Sequence, residues 1–198
     1  CYNSENNTTT SCDFTSTGIK DKLKTLIGDA VWNTGANDGK TYTYSNIITS
    51  KFYELERSNN TGKICSSGTS CNDVIDRTTE WIGKVGLMYP SDYGYATSGG
   101  TTTDRATCLN KELYNWYNSN VSDCKNNDWL FNGFYQRTIS PYAHSFHNAS
   151  VFMVSRSGGV SNDAAYDVDG VRPVVYLKSS VKIASGTGSQ DDPFILEN

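Results

Sequence analysis

The sequence predicts an α+β fold of small twisted antiparallel sheets, two or so helices and long disulfide-pinned loops. Three observations carry that expectation. The apolar runs are short: residues 151–154 and 174–177 are strand-length and rich in β-branched side chains. One segment shows a helical stripe, with Ile19, Leu23, Leu26 and Ile27 recurring at i, i+4, i+7 and i+8. The 6 cysteines fall as three sequence-local pairs inside Asn-, Ser-, Thr- and Gly-rich stretches.

Taken in order, residues 1–16 form a polar, low-complexity N-terminal segment that only a tie at Cys12 would hold in place. Residues 17–198 read as a single domain. Ser16 or Thr17 would N-cap the first helix and Gly28 would stop it. Residues 30–34 predict a short strand, broken by a turn at Asn37-Asp38-Gly39. That turn has some calcium-loop character but lacks the further spaced carboxylates such a site needs. Tyr42 and Tyr44 alternate into Ile47 and Ile48, and residues 51–57 suit a half-exposed strand or a short helix.

Residues 81–89 predict a strong strand in which Gly83 and Gly86 mark a bulge or close backbone packing. A sharp turn over residues 90–95 follows, and then a Gly/Thr-rich loop leads to Cys108. Residues 109–117 read as a helix with Leu109, Leu113, Trp116 and Tyr117 on one side, which a Cys108–Cys124 bridge would clamp at both ends. Asp128-Trp129 reads as a core anchor, with Trp129 buried and Asp128 capping a turn. Residues 149–155 predict a strand and Gly158-Gly159 a turn. Pro173 sets its own φ and biases Arg172 to an extended conformation, so residues 174–177 follow as a short strand buried on both faces.

Composition narrows the function. Mean hydropathy is low at −0.53, but 4 Trp, 13 Tyr and 7 Phe supply large areas to bury. Net charge is −4 with the 17 Lys and Arg scattered, which excludes the basic stripe of a nucleic-acid binder. No run approaches the ~18 residues of a membrane span, so direct membrane insertion by this segment is not expected. The even cysteine count and the absence of C-x-x-C favour disulfides over a zinc site and imply an extracellular or cell-surface setting. All of Cys1, Cys12, Cys65, Cys71, Cys108 and Cys124 are candidates, with 15 pairings open. A lipidated Cys1 is the rival and would leave one thiol unpaired. With neither a signal peptide nor an initiator Met, the chain is expected to be a processed or trimmed product. Sequons at Asn7, Asn59, Asn120 and Asn148 point to exposed segments.

No Gly-x-Ser-x-Gly, His-Glu-x-x-His or P-loop occurs, so catalysis, cofactors and metals are not expected. His144 and His147 lack a neighbouring cysteine or helix and read as loop histidines on a ligand-facing surface. Residues 131–166 are read as loops whose polar-tipped aromatics give them a paratope-like composition. The predicted ligand-binding set is Phe134, Tyr135, Arg137, Tyr142, His144, His147, Arg156, Asn162 and Tyr166. Arg172 could reach a carboxylate ligand, but an internal pairing with Asp128, Asp167 or Asp169 is the favoured reading.

A wider pattern is carried by residues 81–96 (Trp81-Ile82-Gly83-Lys84-Val85-Gly86-Leu87-Met88-Tyr89-Pro90-Ser91-Asp92-Tyr93-Gly94-Tyr95-Ala96), Asp128-Trp129-Leu130, Ile139-Ser140-Pro141, Val151-Phe152-Met153-Val154, Gly170-Val171-Arg172-Pro173 and residues 185–194. Over residues 81–196 it resembles surface proteins of gut Firmicutes, some with prepilin-type N-termini. The Trp-Leu, Ser-Pro and Gly-Val-Arg-Pro series also resembles the C-type-lectin-like fold of formylglycine-generating-enzyme relatives. The resemblance implies a non-enzymatic adhesion or recognition domain for an unknown protein or glycan, including the diversified receptor domains that share the fold. It implies, as an alternative, the globular head of a pilin-like subunit, with homo-assembly. Enzymatic relatives use reactive cysteines, and no cysteine here stands beside a His or at a helix start that would lower its pKa.

Overall fold

A computed structural model describes residues 2–3, 8–9, 19, 21–34, 45–57, 80–142, 150–189 and 191–197. The Asn37-Asp38-Gly39 turn, the caps at Ser16 and Thr17, His144, His147, and Cys1, Cys12, Cys65 and Cys71 lie outside those residues. The fold is mixed α+β, with small, mostly antiparallel sheets and short helices. It divides into two compact units. One comprises residues 1–31, 82–86 and 174–198; the other comprises 32–81 and 87–173.

The first unit holds α1 (Asp21–Lys24), the pair β1 (Tyr2–Asn3) and β2 (Thr8–Thr9), and a C-terminal hairpin. α1 is a single turn, shorter than the apolar stripe predicts, because the chain leaves the helix before Leu26 and Ile27. Ile27 bridges Leu177, Gly28 donates its N–H to Tyr176, and Lys178 donates to the Leu26 carbonyl. Both Leu26 and Ile27 are buried.

Two further short pairs are β3 (Ala30–Asn33) with β4 (Glu80–Gly83), and β5 (Val85–Leu87) with β10 (Pro173–Val175). The predicted strand over 81–89 is therefore two strands that break at Lys84. The expectation that residues 174–177 are buried on both faces is corrected. Val174 and Val175 are half-buried, and Tyr176 and Leu177 are 49% and 41% exposed. A two-stranded ribbon has no neighbours to cover its outer face, so apolarity here does not bring burial.

The second unit carries the main core. Its sheet has the order β8-β7-β6-β9, from β6 (Gln136–Tyr142), β7 (Ser150–Val154), β8 (Val160–Ala164) and β9 (Gly170–Val171). β6–β7 and β7–β8 are antiparallel, while β9 joins β6 in parallel through Gln136↔Gly170 and Arg137↔Val171. β6 and β8 overturn the reading of residues 131–166 as loops around one strand. β6 carries Pro141 and polar residues on its way to a bulge, so neither alternation nor a β-branched run signals it.

Packed in this unit are α2 (Thr49–Glu56), α3 (Pro90–Ala96), α4 (Arg105–Leu109), α5 (Ser122–Asn126) and two 3₁₀ turns at Leu113–Tyr117 and Ser119–Val121. The turn expected at 90–95 is helix α3. Pro90 sits in its first turn, and the Asp92 carboxylate accepts the Tyr89 N–H at 2.8 Å. Gly94 lets α3 approach α2, since a Cβ there would lie 2.4 Å from Thr49 Oγ1. The helix predicted over 109–117 is interrupted. Asn110 ends α4, Glu112 bridges Ile48 in extended conformation, and Leu113 donates to the Ile47 carbonyl before the chain resumes as 3₁₀. Trp32, Phe52, Tyr93, Trp116 and Phe152 are the largest fully buried aromatics, with Phe52 edge-on to Phe152 at 5.0 Å.

A bridge between Cys108 and Cys124 joins α4 to α5. Around it the Gly/Thr-rich loop is held by one carboxylate: Asp123 Oδ2 accepts from Thr102 N, Thr102 Oγ1 and Thr103 N at 2.8, 2.7 and 3.0 Å. These donors hold the Asp123 carboxyl below its ordinary pKa.

Candidate functional site

The site is built where β6 and β9 begin. The parallel pair brings the stretch before β6 beside the stretch after β9, and an open cleft of about 440 Å³ lies between them. One wall is Asn132, Phe134, Tyr135 and Gln136; the other is Gly170, Val171, Arg172 and Pro173. The close approach depends on Gly170, whose N–H donates to the Tyr135 carbonyl at 3.1 Å; a Cβ would sit 3.0 Å from that oxygen. Gly133 turns the chain with φ +75°, and the Phe134 N–H donates to Asn132 Oδ1 at 3.1 Å. The result leaves Phe134 71% exposed and Val171 47% exposed at the cleft.

Adjacent residues on β6 point to opposite faces and do different work. Gln136 is buried; its amide donates to the Leu130 carbonyl at 3.2 Å and accepts from Arg172 Nε at 3.1 Å. Arg172 Nη2 also donates to Leu130 O, at 3.1 Å. Three groups thus close a small ring that fixes the guanidinium. Leu130 is set in turn by Asp128, whose Oδ1 accepts its N–H at 2.8 Å. Burial raises the Asp128 carboxyl to about 7, against the lowering effect of that N–H and of the Arg172 charge, and Oδ2 is a buried acceptor without a partner. Asp128 does cap the turn, as expected. Trp129 does not anchor the core: it is 76% exposed, because the cap points the next side chain outward.

Arg137, next along the strand, lies on the other side. Its Nε is 2.9 Å from Asp169 Oδ2, with both side chains buried, and its Nη2 donates to the Asp167 carbonyl at 3.1 Å. The pair has ion-pair distance without hydrogen-bond alignment, since Asp169 Oδ2 and Arg137 Nη1 both lack an aligned partner. Asp169 therefore neutralises Arg137, not Arg172 as the sequence suggests.

Of the predicted ligand-binding set, the structure brings Phe134 and Tyr135 to the cleft, and Arg156 stacks its guanidinium 4.6 Å from the Tyr135 ring centroid. Arg137 and Tyr142 are buried, Tyr142 with its ring 5.0 Å from Phe152. Asn162 is on β8 opposite Phe152, and Tyr166 is half-exposed in the turn after β8. His144 and His147 lie outside the described residues. Sequence reasoning missed Gln136, which carries no local signal; it favoured an internal pairing of Arg172 with an Asp, where the internal partners are Gln136 and Leu130. The Gly170-to-Pro173 motif marks this wall, but nothing in its spacing reveals the parallel partner.

A second polar cluster lies between α2 and α3. Buried Glu56 accepts from the Ser91 hydroxyl, from Ser91 N at 3.0 Å and from Arg57 Nη1 at 3.0 Å. Arg57 is sandwiched between the Tyr53 and Tyr89 rings at 4.1 and 4.4 Å. Burial lifts the Glu56 carboxyl to about 7. Every partner here is internal, so the cluster ties two helices together.

No helix among the described residues is long and apolar enough to cross a membrane. Among the same residues no group of three or more His, Cys, Asp or Glu is placed to hold a metal ion. No protein-family model matches the chain, and neither does any curated protein or solved structure.

Proposed function

We propose that this chain is a secreted or cell-surface recognition domain of C-type-lectin-like type, which binds a protein or glycan ligand without catalysis. The observation that carries the reading is the open cleft before β6. It combines an exposed Phe134, an exposed Val171, the Tyr135 ring and the half-buried guanidinium of Arg172 in one concave surface. Large apolar side chains left in water beside fixed polar groups are what a binding surface needs: the rings supply area and the polar groups supply orientation. The Cys108–Cys124 bridge supports an oxidising setting. Glycan-array and protein-array screening of the wild type against Phe134→Ala and Tyr135→Ala tests the reading. Loss of a wild-type signal in both variants is expected. Signals that survive in both would remove the cleft from recognition.

A further inference from the structure

Resting on that recognition reading, we propose that the cleft selects a carboxylate carried on a ring, with Arg172 as the anion hook and Phe134 and Tyr135 as the ring's wall. Arg172 is held from one side. Its Nε and Nη2 are taken by Gln136 Oε1 and Leu130 O, both at 3.1 Å, while its Nη1 has no partner among the described residues. A guanidinium clamped in this way presents its remaining N–H groups without losing side-chain entropy on binding.

Its charge is also unspent. Among the described residues no carboxylate forms an ion pair with Arg172, because Asp169 is engaged by Arg137. Asp128 acts on Arg172 only at longer range, and its raised pKa leaves it part-protonated near neutrality. Arg156 stacks on the Tyr135 ring without lining the cleft, and it has no ion-pair partner among the described residues. A cation left uncompensated in an otherwise acidic chain of net charge −4 is a recognition element for an anion.

The count of charges selects the anion. Among the described residues Arg172 is the only cation lining the cleft, so it matches the single charge of a carboxylate. A phosphate dianion would call for a second cation or a nest of backbone N–H groups. The rest of the lining selects what carries the charge: two aromatic side chains, Val171 and Pro173 offer apolar contact to a flat face, and Asn132 offers an amide at the rim.

The test is a titration of the full chain, followed by amide NMR shifts, with glucuronate, glucose, benzoate, benzyl alcohol and inorganic phosphate. Each acid is expected to bind about tenfold or more tightly than its neutral twin, the size of one charge-assisted hydrogen bond. Val171→Glu, which leaves the Arg172 ring of hydrogen bonds in place, is expected to weaken both acids about tenfold more than it weakens their neutral twins. Phe134→Ala should weaken acid and neutral twin alike. A preference for glucuronate or for benzoate identifies the ring as sugar or aromatic, and either supports the proposal. Neutral twins that bind as well as the acids would remove Arg172 as the hook while leaving the recognition reading intact. Phosphate binding more tightly than both acids, or no acid binding at all, overturns the carboxylate assignment. The array screen judges the recognition reading independently of these outcomes.

Discussion

Two neighbouring regions of the same unit treat polar groups in opposite ways. Around the Cys108–Cys124 bridge, donors and acceptors are used up internally: Asp123 takes three donors, Thr97 Oγ1 donates to the Cys124 carbonyl at 2.6 Å, and Arg105 Nε donates to the Thr97 carbonyl at 2.9 Å. At the start of β6, Arg172 Nη1 has no hydrogen-bond partner among the described residues and the Phe134 ring is 71% exposed. The first region converts sequence into stability. The second withholds part of that conversion, and what is withheld is available to a ligand. Polar residues line both, so residue type alone does not separate scaffold from site; the completeness of pairing does.

Substitutions should respect this division, and the largest effect belongs to the closed region. Replacing Cys108 and Cys124 together by Ala is expected to lower the unfolding free energy by about 3 kcal/mol, the loop-closure value for a span of this length. Urea denaturation checks it, and a change below about 1 kcal/mol would mean that the helices hold each other without the bridge. Next comes Asp123→Ala, which removes the shared acceptor of the Thr102 and Thr103 N–H groups and should destabilise the chain by less than loss of the bridge on the same measurement.

A dependence on pH follows from the two buried carboxyls. Glu56 and Asp128 titrate near 7 in the folded chain, well above their values of 4.5 and 3.8 when unburied. Each therefore favours folding most where both states are protonated, and that contribution fades as pH rises through 7. Acids held low by hydrogen bonds, Asp104, Glu112 and Asp123, work the other way and lose their contribution in strong acid. Thermal melts from pH 8 down to pH 5 should show Tm rising as pH falls, with Glu56→Gln flattening the slope. A Tm that falls steadily over that window would show that the Arg57 pairing outweighs burial. Smallest of all, Phe134→Ala should change unfolding free energy by less than about 0.5 kcal/mol, as a 71% exposed ring contributes little to the fold.

How much of this could be read from the sequence depended on whether the deciding interaction was local. The strand through 151–154 and the tight turn at Gly158-Gly159 follow from periodicity and glycine, and both are present, whereas α1 ends at Lys24, ahead of the stop expected at Gly28. The mixed α+β class with small sheets follows from the same short runs. β6 did not show, since its partners lie at β7 and at β9, and its own residues 136–142 mix polar groups with Pro141. The site inherits that blindness. Phe134 and Tyr135 were legible as polar-loop aromatics, but Gln136 gains a role only when Gly170 is placed beside it. Arg137 and Arg172 look interchangeable in sequence; one is neutralised and the other is not because a parallel register delivers Asp169 to Arg137.

The hairpin tip between β7 and β8 has a consequence for local motion. Tips of hairpins ordinarily open first, on their own. Here the Tyr93 hydroxyl donates to the Gly158 carbonyl at 2.7 Å, and Lys125 Nζ donates to the Ser157 carbonyl at 2.7 Å. Gly159 packs so close to Tyr114 that a Cβ would lie 2.3 Å from its carbonyl oxygen. Three separate helical segments thus grip one turn. The Ser155 and Gly158 amides, both bonded within it, should exchange with solvent only as fast as those helices release, which makes this turn a reporter of unfolding across the unit.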